Sequence, residues 1–577
     1  MNVSSSDLSK RNFWRRGLLG GLAMALGLIA TAPSCSFVVD TNEVQCSDTT
    51  PCGAGRKCSE GVCIVDPNAG ESCAKTSECV ASKGEFHFCR KDNGAATGEC
   101  VALKSALCDT VEGDYQADDV FFIGSIHPKT PVDGPDAIIG ISMEESIKLA
   151  LSELKKTANG LPPAAGQTSR RQVVMIGCSD EGYEDKSVEA ATHLVDNVGV
   201  QAIIGGAFSG IAIQTATEVT IPNQVLFVSA SGTSPAITDL ADKPSGSTVG
   251  LVWRTVPSDN FQAQALVEYV KTLETDVRTE LGLMAAEPIK VAILHKGDAY
   301  GTGLKNALQK DLVFNNKPAL SNGANYIVVD YGNPDEGMGG LNYGEAIDKA
   351  VMNGAHVVLL FGTGEAITEV YTKIEVGWTA PTHRPRYVFS DANFSGAVAD
   401  IINVETDVMK RADLRRRTTG VVPGPGDTDS LYKAFLLSYG SRPGDATIFG
   451  SASAYDAAYL LFYSAAFIKD GPITGIKLAE GMANMSNAAP MDAEVDVGTT
   501  DLPGALNKIA DGTYTSIDYN GAFGPLNFDS ATGEPAANVQ IFCLADDGTG
   551  KATHQLSGSF YNADTGKIEG AAAAACK

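Results

Sequence analysis

The feature that most restricts the fold is an alternation of short apolar runs with segments of helical period between residues 120 and 390. Short apolar runs bounded by turn residues are typical of buried strands, and residues 142–156 show the apolar face of a helix. Alternation at this spacing predicts an α/β fold built from right-handed β-α-β units with parallel sheets. The predicted strands are residues 120–127, 173–177, 203–205, 225–228, 289–295, 326–331, 356–361 and 386–390.

Two of these predicted strands lead into loops of glycine and hydroxyl residues. Residues 203–205 precede Gly206-Ala-Phe-Ser209, and residues 225–228 precede Ser229-Ala-Ser-Gly-Thr-Ser-Pro235. Parallel α/β sheets bind ligands at the carboxyl ends of their strands, and a helix N-terminus favours an anion. The sequence therefore predicts that two neighbouring strand ends bind one small anionic group. The alternative is that glycine, serine and proline only form β-α turns here.

Four motifs, taken in order, point to a known family. They are Ile204-Gly-Gly-Ala-Phe-Ser-Gly210, Val228-Ser-Ala-Ser-Gly-Thr-Ser-Pro-Ala-Ile-Thr238, Trp253-Arg-Thr-Val-Pro-Ser-Asp259 and Val291-Ala-Ile-Leu-His-Lys-Gly-Asp-Ala-Tyr-Gly-Thr-Gly303. Over roughly residues 119–545, their order resembles the branched-chain amino-acid binding proteins of bacterial ABC transporters. Those proteins have the type I periplasmic binding fold, and some of their relatives bind amides, urea and other small polar molecules.

The resemblance implies two doubly wound parallel-sheet lobes joined by a hinge of three chain crossings. Lobe 1 is expected at residues 119–256 and 393–520, and lobe 2 at residues 257–392 and 521–577. We expect a small ligand to bind between the lobes, which close on it. Within this scheme, residues 404–428 and 486–503 are interpreted as surface insertions.

The same resemblance implies a set of ligand-binding residues. Ser209, Ser231 and Thr233 fall on positions that bind the ligand carboxylate, and backbone N–H groups at the helix start assist them. Tyr300 falls on an aromatic residue that covers the ligand, and Asp391 lies near the acidic partner of the ligand ammonium. A zwitterion needs such an arrangement because buried charges without partners are costly. For Asp391 the alternative is a helix N-cap.

One departure from the family pattern concerns the size of the pocket. A second aromatic residue of the family's pocket falls at Gly364, in Phe361-Gly-Thr-Gly364. We therefore expect a roomier pocket that suits a larger or more polar amino acid, or an amide, rather than leucine or valine.

Enzyme motifs are absent from the sequence. There is no G-x-S-x-G elbow, no Walker A sequence and no H-E-x-x-H, and the seven histidines show no metal-ligand spacing. We expect no cofactor and no metal, and a solute-binding protein that delivers its ligand to an ABC permease. Two alternatives stay open: a ligand-sensing receptor lipoprotein without transport, and a hydrolase whose Ser–His–Asp site is assembled from separate loops.

The N-terminus has the pattern of an export signal. Lys10, Arg11, Arg15 and Arg16 precede an apolar run at residues 17–30, and Ala32-Pro-Ser-Cys35 resembles a lipoprotein cleavage site. We expect a signal peptide at residues 1–34, lipidation of Cys35 and a location on the periplasmic side of a bacterial membrane. The protein would touch the membrane through this lipid anchor only. A soluble secreted protein is the alternative, and twin-arginine export is an alternative route. A net charge of −25 argues against binding nucleic acid.

Cysteines are concentrated in residues 35–110, where apolar residues are scarce. Such a segment needs cross-links in place of a core, and disulfides are favoured over zinc because C-x2-C pairs are absent and His87 is the only nearby histidine. We expect a disulfide-stapled stalk that acts as a spacer, or alternatively as a docking module. Cysteines between residues 46 and 100 should pair among themselves. From their positions we also expect the pairs Cys108–Cys178 and Cys543–Cys576.

Overall fold

The computed structural model describes residues 56–59, 62–65, 72–91, 95–132, 136–337, 339–380, 382–426, 428–485, 493–573 and 576. The predicted signal peptide, Cys35, Cys46 and Cys52 lie outside these residues. The chain divides into two compact units, residues 1–69 and residues 70–577. In the first unit, β1 (Arg56–Ser59) and β2 (Val62–Val65) form an antiparallel hairpin.

The second unit begins with a small disulfide-linked module. Its elements are β3 (Ser72–Cys73), α1 (Thr76–Lys83), β4 (His87–Arg90) and β5 (Gly98–Ala102). Disulfides Cys73–Cys89 and Cys79–Cys100 join them. The module packs on the lobe that follows, with the rings of Phe88 and Phe122 4.6 Å apart. Residues 72–102 are therefore part of the folded unit, and the expectation of a separate stalk is wrong for them.

A six-stranded sheet forms the core of the first lobe. Its strand order is β11-β10-β9-β7-β8-β6, and all neighbours are parallel except β6 and β8. The strands are β6 (Cys108–Glu112), β7 (Val120–His127), β8 (Gln172–Ser179), β9 (Ala202–Gly205), β10 (Leu226–Ser229) and β11 (Val252–Arg254). The helices are α2 (Ala137–Ala158), α3 (Glu184–Thr192), α4 (Ser209–Thr215) and α5 (Pro235–Thr238), with π-helical turns at His193–Val198 and Ala216–Thr220. Cys108 and Cys178 form a disulfide between β6 and β8, which is the pairing expected from the sequence.

The chain first crosses to the second lobe between β11 and α6 (Asp259–Leu281). Strands and helices then alternate: β12 (Val291–His295), α7 (Ala299–Asp311), β13 (Val313–Phe314), β14 (Lys317–Pro318), β15 (Tyr326–Asp330), α8 (Tyr343–Asn353), β16 (Val357–Phe361), α9 (Thr372–Gly377), β17 (Arg386–Phe389), α10 (Gly396–Asn403), α11 (Val408–Arg417) and β18 (Thr418–Pro423). Short 3-10 segments occur at Ala319–Asn325, Pro334–Glu336 and Asp391–Asn393, and a π-helical turn at Ala366–Tyr371.

The second crossing comes later than the sequence predicted. β18 pairs with β17 in parallel and is a central strand of the second sheet, so residues 393–423 belong to lobe 2. The interpretation of residues 404–428 as a surface insertion is wrong for this strand. The charged helix α11, which ends in Arg415-Arg-Arg417, directly precedes β18. Because the surrounding segment is polar, the sequence pattern did not indicate a buried strand here.

After the second crossing the chain rejoins the first lobe. The elements are α12 (Ser430–Tyr439), α13 (Ser451–Phe467), α14 (Gly475–Ala483), β19 (Glu494–Asp496), α15 (Leu502–Asp511), β20 (Asp518–Asn520), β21 (Phe528–Asp529) and β22 (Glu534–Pro535). Residues 521–535 also lie on this lobe, because Phe528 packs edge-on against Trp253 at 5.3 Å. The third crossing therefore follows β22 and does not come at residue 521.

Three antiparallel strands complete the second sheet: β23 (Val539–Asp546), β24 (Ala552–Asn562) and β25 (Lys567–Gly570). The sheet order is β15-β12-β16-β17-β18-β23-β24-β25. Cys543 on β23 is bonded to Cys576, the other pairing expected from the sequence. Each sheet has an apolar cluster on both faces, as a doubly wound fold requires. Across the described residues, no helix combines the length and apolarity needed to span a membrane.

Candidate functional site

The hydroxyl residues of the first lobe meet at adjacent strand ends. β9 and β10 are neighbours, and Ser209 follows one while Ser231 and Thr233 follow the other. Ser209 Oγ accepts a hydrogen bond from the backbone N–H of Ser234 at 3.1 Å, which ties the two loops together. Ser209 and Thr233 are buried, and Ser231 is partly exposed. The backbone N–H of Ser234 thus already has a protein acceptor.

Behind these loops lies a buried arginine that the motif analysis did not single out. Arg254 donates through Nη1 to the carbonyl oxygen of Ser234 at 2.9 Å and pairs through Nη2 with Glu534. Glu534 belongs to the segment just before the third crossing. The guanidinium therefore holds the Ser231–Ser234 loop in place and adds positive charge on its inner side.

Tyr300 and Asp391 meet in the second lobe. Tyr300 OH donates to Asp391 Oδ1 at 2.5 Å and lies 2.8 Å from Ser390 Oγ. Ser390 occupies the N-cap position of the short helix Asp391–Asn393, and no side chain caps that helix. The carboxylate of Asp391 is therefore not a helix cap, and the alternative interpretation of this residue is wrong.

Two further residues complete this cluster. Gln262 Nε2 lies 2.8 Å from Oδ1 of Asp391 and 2.8 Å from Oδ1 of Asp259, so that one amide serves two carboxyl groups. Asp259 Oδ2 is buried and has no partner at hydrogen-bonding geometry among the described residues, while the nearby hydroxyl of Thr233 lowers the pKa of this carboxyl group. Sequence reasoning missed both residues, since Ser258-Asp259 at the start of α6 has the pattern of an ordinary helix start. The position of Asp259 at the end of the Trp253–Asp259 motif was the one sequence feature that could have pointed to it as a site residue.

Burial dominates the electrostatics of the cluster. It raises the pKa of Asp259 well above its ordinary value, and the charge of Asp391 raises it further. Burial also raises the pKa of Asp391, although the hydrogen bonds from Tyr300 and Gln262 lower it in part. The pKa of Tyr300 is raised by burial and then by the charges of Asp391 and Asp259. Buried carboxyl groups that share one donor favour the arrival of a cation.

The lobes touch at the mouth of this site. Ser234 Oγ in the first lobe donates to the carbonyl oxygen of Ala299 in the second at 2.8 Å. Gly303 of α7 packs so closely that a Cβ there would lie 2.7 Å from Ser234 Oγ and 3.1 Å from Pro235 Cδ. A Cβ at Gly364, in contrast, would meet no atom within 4 Å. The lobes are thus in contact beside α7, and Gly364 is exposed with open space around its Cα.

Charged residues from both lobes also face each other at the rim of the cleft. Lys296 is almost fully buried, lies 3.3 Å from Asp298 and pairs with Asp335. Burial raises the pKa of Asp136 in the first lobe, and the charge of Asp335 raises it further while Lys296 lowers it. Charges of the second lobe thus influence Asp136 of the first lobe, an electrostatic coupling that sequence reasoning did not identify.

The sequence carries the signature of a known family. A model described as a periplasmic binding protein matches residues 121–549, most of the chain. The chain belongs to this periplasmic binding protein family. Membership confirms the resemblance and the fold inferred from the four motifs. It also agrees with a binding protein rather than an enzyme, and it implies export to the periplasm.

Curated relatives match part of the chain. A Leu/Ile/Val-binding protein homologue from Brucella melitensis is 28% identical over 187 residues, which are 32% of this chain and 42% of the relative. A leucine-, isoleucine-, valine-, threonine- and alanine-binding protein from Pseudomonas aeruginosa is 25% identical over 180 residues, 31% of this chain and 40% of the relative. The matched segments therefore span less than half the length of these relatives.

Solved structures share the fold. A leucine-binding protein from Thermotoga maritima has a TM-score of 0.53 at 17% identity, covering 77% of this chain and 99% of its own. A solute-binding protein from R. palustris, solved with 4-hydroxybenzoate, has a TM-score of 0.51 at 15% identity, covering 79% and 98%. At these identities the similarity establishes the type I fold and says nothing about the ligand of this chain.

Proposed function

We propose that this protein captures an amino acid, or a similar small polar ligand, between its lobes and delivers it to an ABC transporter. One observation carries the proposal. Asp259 and Asp391 are buried together and share the amide of Gln262, and Asp259 Oδ2 has no partner at hydrogen-bonding geometry among the described residues. The ammonium group of a ligand would supply the missing positive charge and the missing hydrogen-bond donors.

The other end of the ligand would bind in the first lobe. Ser209, Ser231 and Thr233 offer hydroxyl groups at two adjacent strand ends, and Arg254 lies behind their loop. This arrangement suits a carboxylate or an amide oxygen. A zwitterion would thus bridge the hydroxyl groups of one lobe and the carboxyl groups of the other, which explains why binding would favour the closed form.

The open space beside Gly364 bears on which ligand is bound. The two curated relatives are named for leucine, isoleucine and valine, and one of them also for threonine and alanine. In this chain Gly364, which by resemblance falls on an aromatic position of the family's pocket, would leave room for a larger or more polar amino acid, or an amide. We therefore propose that leucine and valine are not its main ligands.

Attachment to the membrane is part of the same proposal. The charged and apolar segments before Cys35 support cleavage before this residue and lipidation of its side chain. A protein held at the membrane in this way would stay close to a permease. More than one acyl chain is needed for stable anchoring.

The experiment is a thermal-shift screen of amino acids, amides and small peptides, followed by calorimetric titration of the best ligand. Asp391→Asn and Thr233→Ala should each weaken binding by about 2–4 kcal/mol, since each removes a buried partner of a charged group. Asp348→Asn and Thr272→Ala change the same residue types at exposed positions and serve as matched controls. Parent-like affinity in both cleft variants would show that the ligand binds elsewhere.

A further inference from the structure

A cavity lies between the lobes, beside the hinge. It has a volume of about 250 Å³, and its wall is mostly apolar. The first lobe contributes Leu436, Phe449 and Phe523, and the second contributes Phe394, Val422 and His554. None of the sequence motifs marked this cavity, because its walls come from seven separate segments of the chain.

This cavity adjoins the proposed amino-acid site at two points. Gly450 lines the cavity, and a Cβ there would lie 3.3 Å from Cβ of Ser231. On the opposite wall, the backbone N–H of Phe394 donates to the carbonyl oxygen of Asp391 at 2.9 Å. The residue proposed for the ligand carboxylate and the residue proposed for the ligand ammonium thus each lie beside a residue of the cavity wall. A side chain attached to the carbon between those two groups would point towards it.

We infer that this cavity receives the side chain of the ligand and that this side chain is aromatic. The inference rests on the proposed function and specifies the class of amino acid. Size is the first reason: a dry cavity of about 150 Å³ holds benzene, so 250 Å³ accommodates a phenol or an indole, whereas valine would leave much of the space empty.

The shape and chemistry of the walls are the second reason. Phe449 and Phe523 meet edge to face with their ring centres 6.0 Å apart, and Phe394 and His554 do so at 5.0 Å. An aromatic ligand ring could pack against these rings edge to face, because the edge of one ring attracts the face of another. An aliphatic side chain would not gain this attraction. Gln540 also lines the cavity, so a ring with one polar substituent is accommodated as well.

The test compares two classes of amino acid on the mature protein. Calorimetric titration should show phenylalanine, tyrosine or tryptophan binding at least tenfold more tightly than leucine, isoleucine or valine. Leu436→Trp should then weaken binding of the aromatic ligand at least tenfold, because the indole would occupy the cavity. Leu437→Trp is the matched control, since Leu437 is the next residue of α12 and is 83% exposed. It should not change the affinity.

Unfolding curves of both variants show whether the fold is intact. Should Leu436→Trp fail to fold, Ala446→Leu narrows the same cavity with a smaller side chain. Equal affinity for the two classes, with no effect of either cavity variant, would overturn the inference and leave the amino-acid site standing. Binding of neither class would overturn the inference alone, and the proposed function would fail only if no amino acid, amide or small peptide of the screen bound.

Discussion

Gly303 offers a substitution whose effects on stability and on affinity should have opposite signs. It lies within α7 of the second lobe and faces Ser234 and Pro235 of the first lobe. An alanine Cβ would come within 2.7 Å of Ser234 Oγ and 3.1 Å of Pro235 Cδ. Both atoms belong to the opposite lobe, so the clash exists only while the lobes are together.

The magnitude follows from these contacts. In the separated lobes, Gly303→Ala should stabilise α7 by about 0.5–1 kcal/mol, because alanine favours the helix over glycine. In the closed form Ser234 must turn away and lose its hydrogen bond to Ala299, worth about 0.5–1.5 kcal/mol. Moving the rigid ring of Pro235 adds a cost of about 1 kcal/mol or more. These two costs together destabilise the closed form by about 2 kcal/mol, which corresponds to a loss of roughly 30-fold in ligand affinity.

The assay pairs calorimetric titration of the ligand found by screening with thermal unfolding of the ligand-free protein. Gly344→Ala in α8 is the matched control, because a Cβ there meets no atom within 4 Å. It should leave the affinity unchanged. If Gly303→Ala binds as tightly as the parent, closure of the lobes against Ser234 and Pro235 is not part of binding, and the reasoning fails.

Three further predictions concern stability, pH and anchoring. Asp456→Asn should destabilise the protein by about 1–3 kcal/mol in denaturant unfolding, because Asp456 accepts hydrogen bonds from the backbone N–H groups of Ala522 and Phe523 and an asparagine cannot accept both; an unchanged midpoint would contradict this. The raised pKa values of Asp259 and Asp391 mean that protons compete with a ligand ammonium, so ligand affinity should rise as the pH increases above the ordinary aspartate pKa of about 3.9. Over the same range these two groups should make the ligand-free fold less stable, since the folded state binds their protons more tightly than the unfolded state; calorimetry and melting curves that both show the reverse trend would refute the assignment. Finally, Cys35→Ser should move the protein from the membrane fraction to the soluble fraction, and retention at the membrane would exclude a lipid on Cys35.

The order of strands and helices was readable from the sequence because periodicity is local. A buried parallel strand such as β10 is apolar throughout, and the helix after it begins at Pro235, so both ends are marked by neighbouring residues. The four motifs added the family and the type I fold. Where a strand follows a strongly charged helix, as β18 follows α11, the local pattern failed, because the burial of β18 depends on β17 and β23 on either side.

Candidate site residues divide in the same way. Ser209, Thr233, Tyr300 and Asp391 were assigned through the family resemblance. The structure places the first two at one strand edge and the last two in direct contact. Gln262 was not predicted as a site residue from the sequence. It lies 129 positions from Asp391, and nothing near it in the sequence indicates that it joins two buried carboxyl groups.

The sequence by itself determined the alternating elements, the strand ends that carry hydroxyl residues and the family to which the chain belongs. Only the tertiary structure decided where the second and third crossings occur, that residues 72–102 pack on the first lobe, and that Asp259 shares a donor with Asp391. The physical reason is range. Propensity and periodicity act over a few neighbouring residues, whereas burial and the sharing of hydrogen-bond donors depend on segments that meet only when both sheets have formed.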